Sequence, residues 1–485
     1  MNCLCKIKQV LLLFCLVGQS LFFFALNPVV IEGKAAFAKN GQLRFYFYND
    51  LFLQQKTLHA TTNVNKDGDF RVSIQTNETA LLIIAYQSTY GYIYIEPEKQ
   101  YKLELSADEN LLKRIDAEML GAAIEIRITN TDTAELNYKI SRFDRYFSHF
   151  LYLYALEIYQ NVPVQRYDSL IGLLTEKFPV SNNDIDYYSV YVKYRIADID
   201  LMYYCKNKEK IYNKYLDNDY VFYNNVAYME FLNGFFEKYL YSGNQKIPLK
   251  ILYENINEKR DYYRLLDAMG KDPFLVNERI REIVFIKSLE ELYELNEEFN
   301  QTNILYLLSA MKENSKFDEH KKMSDNRLQY FNKLKSGTKA PDFELRDVYN
   351  SPVKISNFEG KCLYIHFFST YCEDCIREMI ALKTLREQYK DSLQIISVML
   401  DFEQANLYHF VKTYKEFDWQ FLHFANNYSF IDAYNVSALP LGVLIDGKGR
   451  IINYPAKSPK EGLTMQIFSL FPTVKPPQEQ GKNKY

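Results

Sequence analysis

The chain has 485 residues, of which 48% are hydrophobic and 25% are charged, and its net charge is −3. A chain of this length exceeds one hydrophobic core and predicts several domains. The balanced charge provides no basic surface, which argues against nucleic acid as a partner.

The N-terminus resembles an export signal. Lys6 and Lys8 precede an apolar run over residues 10–17, and Gly18-Gln19-Ser20 supplies the small residues that a signal peptidase recognises. We therefore predict a signal peptide over residues 1–20. The apolar character continues to Leu26, so an uncleaved anchor of nearly the ~20 residues that span a bilayer is the alternative.

Residues 28–105 are predicted to form an antiparallel β-sandwich. Leu43 to Tyr48 and Arg71 to Ile74 alternate between polar and apolar positions, and residues 81–86 and 92–95 are further apolar runs. The step Asp67-Gly68 is typical of a hairpin, because glycine accepts the positive φ that such turns require. The region contains no catalytic constellation, so we expect a structural or docking role.

Residues 106–335 are predicted to form an all-α domain. Apolar residues recur at intervals of three and four, as in Phe285, Leu289 and Leu292. The acidic run from Glu290 to Glu298 is expected to form a solvated helix face. No catalytic pattern is visible, so we expect this domain to serve either as a scaffold or in binding an envelope partner.

Residues 337–472 alternate between strand and helix patterns, which predicts an α/β domain, and residues 473–485 form a polar tail. The run Cys362 to Phe368 is predicted to be a buried strand, and Glu373 to about Gln388 a helix. Cys372 then lies at the helix N-terminus, where unpaired N–H groups and the helix dipole stabilise a thiolate. Cys375 follows one turn later and can resolve a mixed disulfide.

Two other roles for the cysteine pair stay open on these residues. Zinc would need a second Cys/Cys or Cys/His pair at ligand spacing, and nothing downstream provides one. A purely structural disulfide is conceivable, but closing a loop of one helical turn adds little stability.

The domain resembles the TlpA/ResA-like thioredoxins of the bacterial cell envelope. The resemblance rests on about 135 residues and on four segments in the expected order. These are Gly337-Thr338-Lys339-Ala340-Pro341-Asp342-Phe343, Phe358-Glu359-Gly360-Lys361 with the strand and cysteine pair, Ala438-Leu439-Pro440-Leu441-Gly442, and Asp446-Gly447-Lys448-Gly449-Arg450. It implies a thioredoxin-like fold, protein disulfides as substrates, and a membrane or periplasmic thiol donor.

The resemblance also assigns residues. It implies that Pro440 is cis and faces the cysteine pair, with the backbone of Leu439 binding an extended substrate. The alternative is that Pro440 only ends a loop before an edge strand.

Departures from the family pattern lie close to the pair. Tyr371 replaces the usual Trp, and Glu373 and Asp374 occupy the two positions between the cysteines, where a Pro is usual. Two carboxylates should disfavour the Cys372 thiolate, so we expect a reducing enzyme. Glu378 matches a family Glu, whereas Ile380 replaces a Pro that kinks the helix.

His366 occupies the position where thioredoxins carry a buried acid that shuttles the proton of the resolving cysteine. We hypothesise that it does so near neutral pH, the alternative being a core histidine bonded to a carbonyl. Asp401 and Glu403 are weaker acid candidates. The opening Ala340-Pro341-Asp342-Phe343 also occurs in peroxiredoxins, but Ile365 stands where their active site needs Pro, so we reject peroxide chemistry.

The sequence thus predicts an exported, multidomain protein of the periplasm or cell envelope that reduces protein disulfides through Cys372 and Cys375. It implies no cofactor and no metal. The competing hypothesis is a non-catalytic envelope binding protein whose cysteine pair is a structural clip.

Overall fold

The computed structural model describes residues 28–472 except for 53, 55, 88, 113–122, 131, 182, 242–246, 296, 297 and 437. The predicted signal peptide, the alternative anchor and the polar tail lie outside the described residues. Among those described, no helix combines the length and the apolar character that crossing a membrane requires.

The N-terminal part packs two four-stranded sheets face to face. Their strands are β1 (Val29–Ala35), β2 (Gln42–Tyr48), β3 (Lys56–Asn63), β4 (Asp69–Ile74), β5 (Ala80–Tyr86), β6 (Thr89–Ile95), β7 (Gln100–Ser106) and β8 (Glu125–Ile128). One sheet has the order β4-β1-β7-β8 and the other β3-β2-β5-β6. Apolar side chains of both sheets, such as Ile31 and Phe45, share one core. The last strand lies beyond residue 105, where we expected the sandwich to end.

Two expectations for this part need correction. The sandwich is not wholly antiparallel, because β1 pairs with β7 in parallel. The Asp67-Gly68 turn does not close a hairpin within one sheet either, since β3 and β4 belong to different sheets. Gly68 does adopt the predicted positive φ, +89°. The turn signal therefore specifies the local backbone, while packing decides which strands pair.

Helices make up the central part. They are α1 (Glu109–Leu112), α2 (Leu136–Tyr159), α3 (Val164–Lys177), α4 (Tyr187–Tyr203), α5 (Lys208–Tyr215), α6 (Val226–Phe235), α7 (Leu249–Tyr253), α8 (Tyr262–Met269), α9 (Glu278–Leu295), α10 (Gln301–Asn314) and α11 (Asp318–Lys333). The apolar stripe Phe285, Leu289 and Leu292 is buried, as its spacing predicts. Glu290 does not face solvent as expected, because its Oε2 accepts a 2.8 Å bond from Nε of the fully buried Arg327.

The C-terminal part is built on a seven-stranded mixed sheet. Its strands are β9 (Glu344–Asp347), β10 (Pro352–Lys354), β11 (Cys362–Phe368), β12 (Leu393–Met399), β13 (Gln420–His423), β14 (Leu441–Ile445) and β15 (Ile451–Asn453), in the order β10-β9-β13-β12-β11-β14-β15. Its helices are α12 (Glu373–Tyr389), α13 (Gln404–Thr413), α14 (Tyr428–Ala433) and α15 (Leu463–Leu470). The predicted strand β11 and helix α12 are both confirmed.

Strand β11 is buried along its whole length, between parallel β12 and antiparallel β14. Its alternate residues serve opposite faces of the sheet. Leu363, Ile365 and Phe367 pack with residues of α14, whereas Phe368 packs with Cys375 of α12. The core therefore fixes the direction in which the chain leaves β11 toward the cysteine pair.

The three parts contact one another directly. The Arg44 guanidinium of β2 lies 3.7 Å from the centre of the Tyr428 ring in α14. Lys333 Nζ, in the last helix of the central part, donates to Asn435 Oδ1 at 2.8 Å. Leu334, one residue later, is buried in the core of the C-terminal sheet. Both N-terminal parts thus brace α14 and the segment that follows it.

Candidate active site

The chain turns from strand to helix at Cys372, which is the N-cap of α12. Its sulfur accepts the Cys375 N–H at 3.1 Å, and its own N–H donates to Ser369 O at 3.0 Å. Cys372 is partly exposed and Cys375 is fully buried. Of the two sulfurs, that of Cys372 is therefore the accessible one, and it lies where backbone N–H groups favour an anion.

Cys372 and Cys375 form a disulfide, with their Cα atoms 5.3 Å apart. The structure therefore shows the oxidised state of the pair. This separation lies within the range that disulfides span, and one helical turn between the two residues supplies it.

Asp401, just after β12, holds the turn that precedes Cys372. Its buried carboxylate accepts the Ser369 hydroxyl at 2.7 Å, the Thr370 N–H at 3.2 Å and the Thr370 hydroxyl. The imidazole of His423 donates from Nε2 to the Asp401 carbonyl at 2.6 Å. The sequence indicates Asp401 only as a weak acid candidate, whereas its contacts show that it holds the turn before Cys372.

The carboxylates between the cysteines are exposed and share one counter-ion. Arg377 Nη2 lies 2.8 Å from Asp374 Oδ1, and Nη1 lies 3.9 Å from Glu373 Oε2. The hydrogen bond from Arg377 lowers the pKa of Asp374. Two negative charges next to Cys372 are thus offset by one positive charge, which sequence spacing alone had not shown.

His366 and Glu378 approach each other, with His366 Nε2 and Glu378 Oε2 3.7 Å apart, beyond hydrogen-bond distance. Complete burial lowers the pKa of His366 to about 3. Burial of Glu378, together with the nearby Glu461 carboxylate, raises the pKa of Glu378 to about 7. The group that titrates near neutral pH is therefore Glu378, and not His366 as we had expected from the sequence.

A polar chain through the sheet orients the His366 ring. Trp419 Nε1 donates to Ser397 Oγ at 2.9 Å, and Ser397 Oγ lies 3.4 Å from His366 Nδ1. Because Ser397 accepts from the indole, its own proton is available to His366 Nδ1. That arrangement is compatible with an imidazole proton on Nε2, the nitrogen that faces Glu378.

The loop before β14 carries the proline that the resemblance assigns to the site. The Leu439–Pro440 peptide bond is cis, as the resemblance implies. Leu439 and Cys372 pack against the same apolar cluster, which includes Cys375 and Phe368. The loop and the cysteine pair therefore border the same part of the core.

The other titratable thiol of this domain is inert. Burial raises the pKa of Cys362 to about 12, so it stays protonated. Within the described ranges, no three His, Cys, Asp or Glu side chains come together in a way that could hold a metal ion. Tyr371, which replaces the expected Trp, is 66% exposed beside Cys372.

The fold and the cysteine pair define a thioredoxin-like protein, and comparison with known proteins agrees. The family model described as Redoxin matches residues 335–465. The thiol-disulfide oxidoreductase ResA of Bacillus thuringiensis subsp. konkukian is 30% identical over 122 residues, which cover 25% of this chain and 69% of the relative. ResA of Bacillus subtilis is 25% identical over 153 residues, covering 30% of this chain and 80% of the relative.

Among solved structures, a thiol-disulfide oxidoreductase from Bacteroides fragilis is similar. It is 21% identical, with a TM-score of 0.26, and the match covers 28% of this chain and 100% of that one. By its sequence relatives the chain belongs to the ResA-like family of thiol-disulfide oxidoreductases, through its C-terminal part. It is thus an oxidoreductase of the thioredoxin-like class.

Replacing Asp401 tests its role in holding the turn. Asp401→Asn keeps the shape but turns an acceptor into a donor opposite the Thr370 N–H, so we expect a loss of roughly 1–3 kcal/mol in the free energy of unfolding. Trp419 is the only Trp and lies in this domain, so its fluorescence follows this unfolding step. The exposed Asp391→Asn is the matched control and should change stability by less than about 0.5 kcal/mol. Equal stability of the two variants would contradict the assignment.

Proposed function

We propose that this protein reduces protein disulfides outside the cytoplasm, with Cys372 as the attacking and Cys375 as the resolving cysteine. The observation that carries the proposal is the partly exposed Cys372 sulfur at the start of α12, within bonding reach of the buried Cys375. Family membership supports an enzyme rather than a structural clip.

The proposed reaction has two exchange steps. The Cys372 thiolate attacks one sulfur of the substrate disulfide, forming a mixed disulfide and releasing one substrate thiolate. The Cys375 thiolate then attacks Cys372 Sγ, which closes the internal disulfide and releases the second substrate thiolate. The substrate gains two electrons, and a membrane or periplasmic dithiol donor later returns two electrons to the pair.

Glu378 is the group we propose to remove the proton of Cys375. It follows Cys375 by three residues on α12, and side chains at this spacing are neighbours on a helix. Its pKa of about 7 suits a base that acts near neutral pH. His366, with its proton on the side of Glu378, acts as a positioning residue that stabilises the ionised carboxylate.

The reducing direction rests on local charge. Glu373 and Asp374 reduce the stabilisation that the start of α12 gives to the Cys372 thiolate, without cancelling it, and Arg377 offsets only part of their effect. A dithiol whose thiolate is less stable gives up its electrons more readily.

Leu439 and Pro440 are proposed to bind the substrate backbone, and Tyr371 to shield the exposed sulfur.

Export to the periplasm or envelope rests on the N-terminal pattern of Lys6, Lys8 and the apolar run that follows.

Binding of an envelope partner by the helical part stays a prediction. One face of α2 exposes Tyr152, Leu156 and Tyr159, which is compatible with such a role.

Insulin reduction in the presence of a dithiol tests the proposed chemistry. Wild type should turn over, Cys372→Ser should lose activity almost completely, and Cys375→Ser should accumulate a mixed disulfide with the substrate that is visible by mass spectrometry. The distant, exposed Cys205→Ser is the control and should behave as wild type. Turnover by Cys372→Ser equal to that of wild type would refute the proposal.

The pH dependence tests the role of Glu378. Reduction by wild type should slow as the pH falls through about 7, because protonated Glu378 cannot accept the Cys375 proton. Glu378→Gln should be slower at high pH and lack this inflection. Glu387→Gln, exposed on the same helix, should keep it. An inflection near pH 7 that persists in Glu378→Gln would remove Glu378 from the mechanism.

A further inference from the structure

We propose that the hairpin formed by α2 and α3 docks on membranes that carry anionic phospholipids, with its apolar tip in the lipid interface and a basic pocket on the phosphate headgroups. The proposal rests on the proposed function in one respect, the export of the chain. It adds a lipid surface as the partner of the helical part, and it does not depend on the redox chemistry of the cysteine pair.

The two helices of the hairpin run antiparallel, and contacts at both of its ends show this. Near the loop that joins the helices, Glu157 Oε1 accepts a hydrogen bond from Arg166 Nε at 2.6 Å. At the other end, Lys177 Nζ lies 4.0 Å from the centre of the Tyr146 ring. The last turn of α2 and the first turn of α3 therefore form one tip, and the opposite helix ends form the base of the hairpin.

One face of α2 is exposed along almost the whole helix. Its members follow one another at intervals of four and three residues, which is the spacing of a single helix face. They are Tyr138, Arg142, Arg145, His149, Tyr152, Leu156 and Tyr159. The half of this face toward the base is thus basic, and the half toward the tip is apolar.

A basic pocket of about 480 Å³ lies on the half of the face toward the base. Arg142, Arg145 and His149 of α2 and Lys177 of α3 line it, and the ring of Phe178 contributes to its wall. Three positively charged side chains from two helices therefore converge on one cavity.

The chain itself does not compensate the positive charges of this pocket. Among the residues that the structure describes, no carboxylate lines the cavity or lies within ion-pair distance of Arg142, Arg145 or Lys177. Asp144, which lies between the two arginines in the sequence, instead accepts the Tyr191 hydroxyl at 3.0 Å. An anion is therefore the ligand that this pocket fits, and guanidinium groups match the oxygens of a phosphate.

The tip of the hairpin is apolar. Its large side chains are about half exposed or more, and they are Tyr152, Leu153, Leu156, Tyr159 and Val164. Exposed apolar side chains that lie together mark an interaction surface. Tyrosine favours the membrane interface because its ring is apolar while its hydroxyl stays in water.

The order of the two halves favours a lipid surface over a protein partner. His149 and Tyr152 lie on either side of the boundary, about 4.5 Å apart along the helix axis at 1.5 Å per residue. The polar zone of each leaflet is about 5–7 Å thick. A hairpin that inserts its tip therefore brings the basic pocket to the headgroup phosphates, so that apolar burial and attraction to anionic lipid both contribute to binding.

A tryptophan in place of Tyr152 reports insertion of the tip in the full chain. With vesicles of phosphatidylcholine and phosphatidylglycerol in equal amounts, the emission of Tyr152→Trp should shift to shorter wavelength. With the same concentration of pure phosphatidylcholine vesicles it should stay unchanged. Tyr349→Trp replaces a ring that is 85% exposed on the β9–β10 turn and should show no shift with either vesicle. Trp419 contributes the same background to both variants.

Two further substitutions in Tyr152→Trp test the two halves of the face. The equilibrium constant for insertion, taken from the emission shift as the vesicle concentration rises, should fall about fivefold in Arg145→Gln, which loses one positive charge near the lipid surface. It should fall roughly tenfold in Leu156→Ser, which buries less apolar surface. Arg264→Gln removes an exposed positive charge from α8 and should leave the constant unchanged.

The outcomes separate this proposal from the proposed function. Emission of Tyr152→Trp that shifts with neither vesicle would leave the face to a protein partner and overturn the proposal. Equal shifts with both vesicles, or equal constants for Arg145→Gln and Arg264→Gln, would overturn it as well. Insulin reduction should be the same in all these variants as in wild type, so failure of insertion leaves the proposed function standing. Failure of wild type to reduce insulin would leave the membrane proposal standing.

Discussion

The position of one sulfur at the first turn of a helix is the constraint on which the site depends. Cys372 lies there because β11 is buried along its length and ends at Phe368, and because Asp401 then fixes the next two residues. The backbone N–H of Cys375 points at the sulfur. A change that frees this turn would move the sulfur away from the N–H groups that favour its anion.

Burial separates the roles of groups that are chemically alike. Cys362 is a thiol in a core, while Cys372 is at the surface of a helix end. His366 loses its basicity on burial, whereas burial moves Glu378 into the range where it can exchange protons at neutral pH. Desolvation penalises the charged form of both groups. The pKa of His366 falls because its charged form is the protonated one, and the pKa of Glu378 rises because its charged form is the deprotonated one.

Much of the C-terminal domain could be predicted from the sequence. Strand β11 and helix α12 are determined by short runs of residues, and local patterns report such features well, whereas the cis proline was expected only from the family resemblance. The role of Asp401 and the chain from Trp419 through Ser397 to His366 could not be predicted, because they join residues that lie about twenty or thirty positions apart. The parallel pairing of β1 with β7 could not be predicted for the same reason, because the alternation of polar and apolar residues along a strand does not indicate which strand lies beside it.

The residues around a charged side chain also decide whether it is buried and whether its charge is compensated. Glu290 belongs to an acidic run that is typical of solvent-facing helices, yet it is partly buried and pairs with the fully buried Arg327 of another helix. Arg377 likewise partly neutralises the two carboxylates beside Cys372. These ion pairs change the free-energy cost of placing each charge where it lies, and the identity of a residue alone does not show that cost.

Brief alkylation of the reduced protein at pH 7, with each cysteine quantified by mass spectrometry, tests the central claim most directly. Cys205 is an exposed free thiol and Cys362 a buried one, so the chain supplies its own references. Cys372 should react about three- to tenfold faster than Cys205, because its thiolate is stabilised at the start of α12, and Cys362 should hardly react. A Cys372 that reacts no faster than Cys205 would contradict the account.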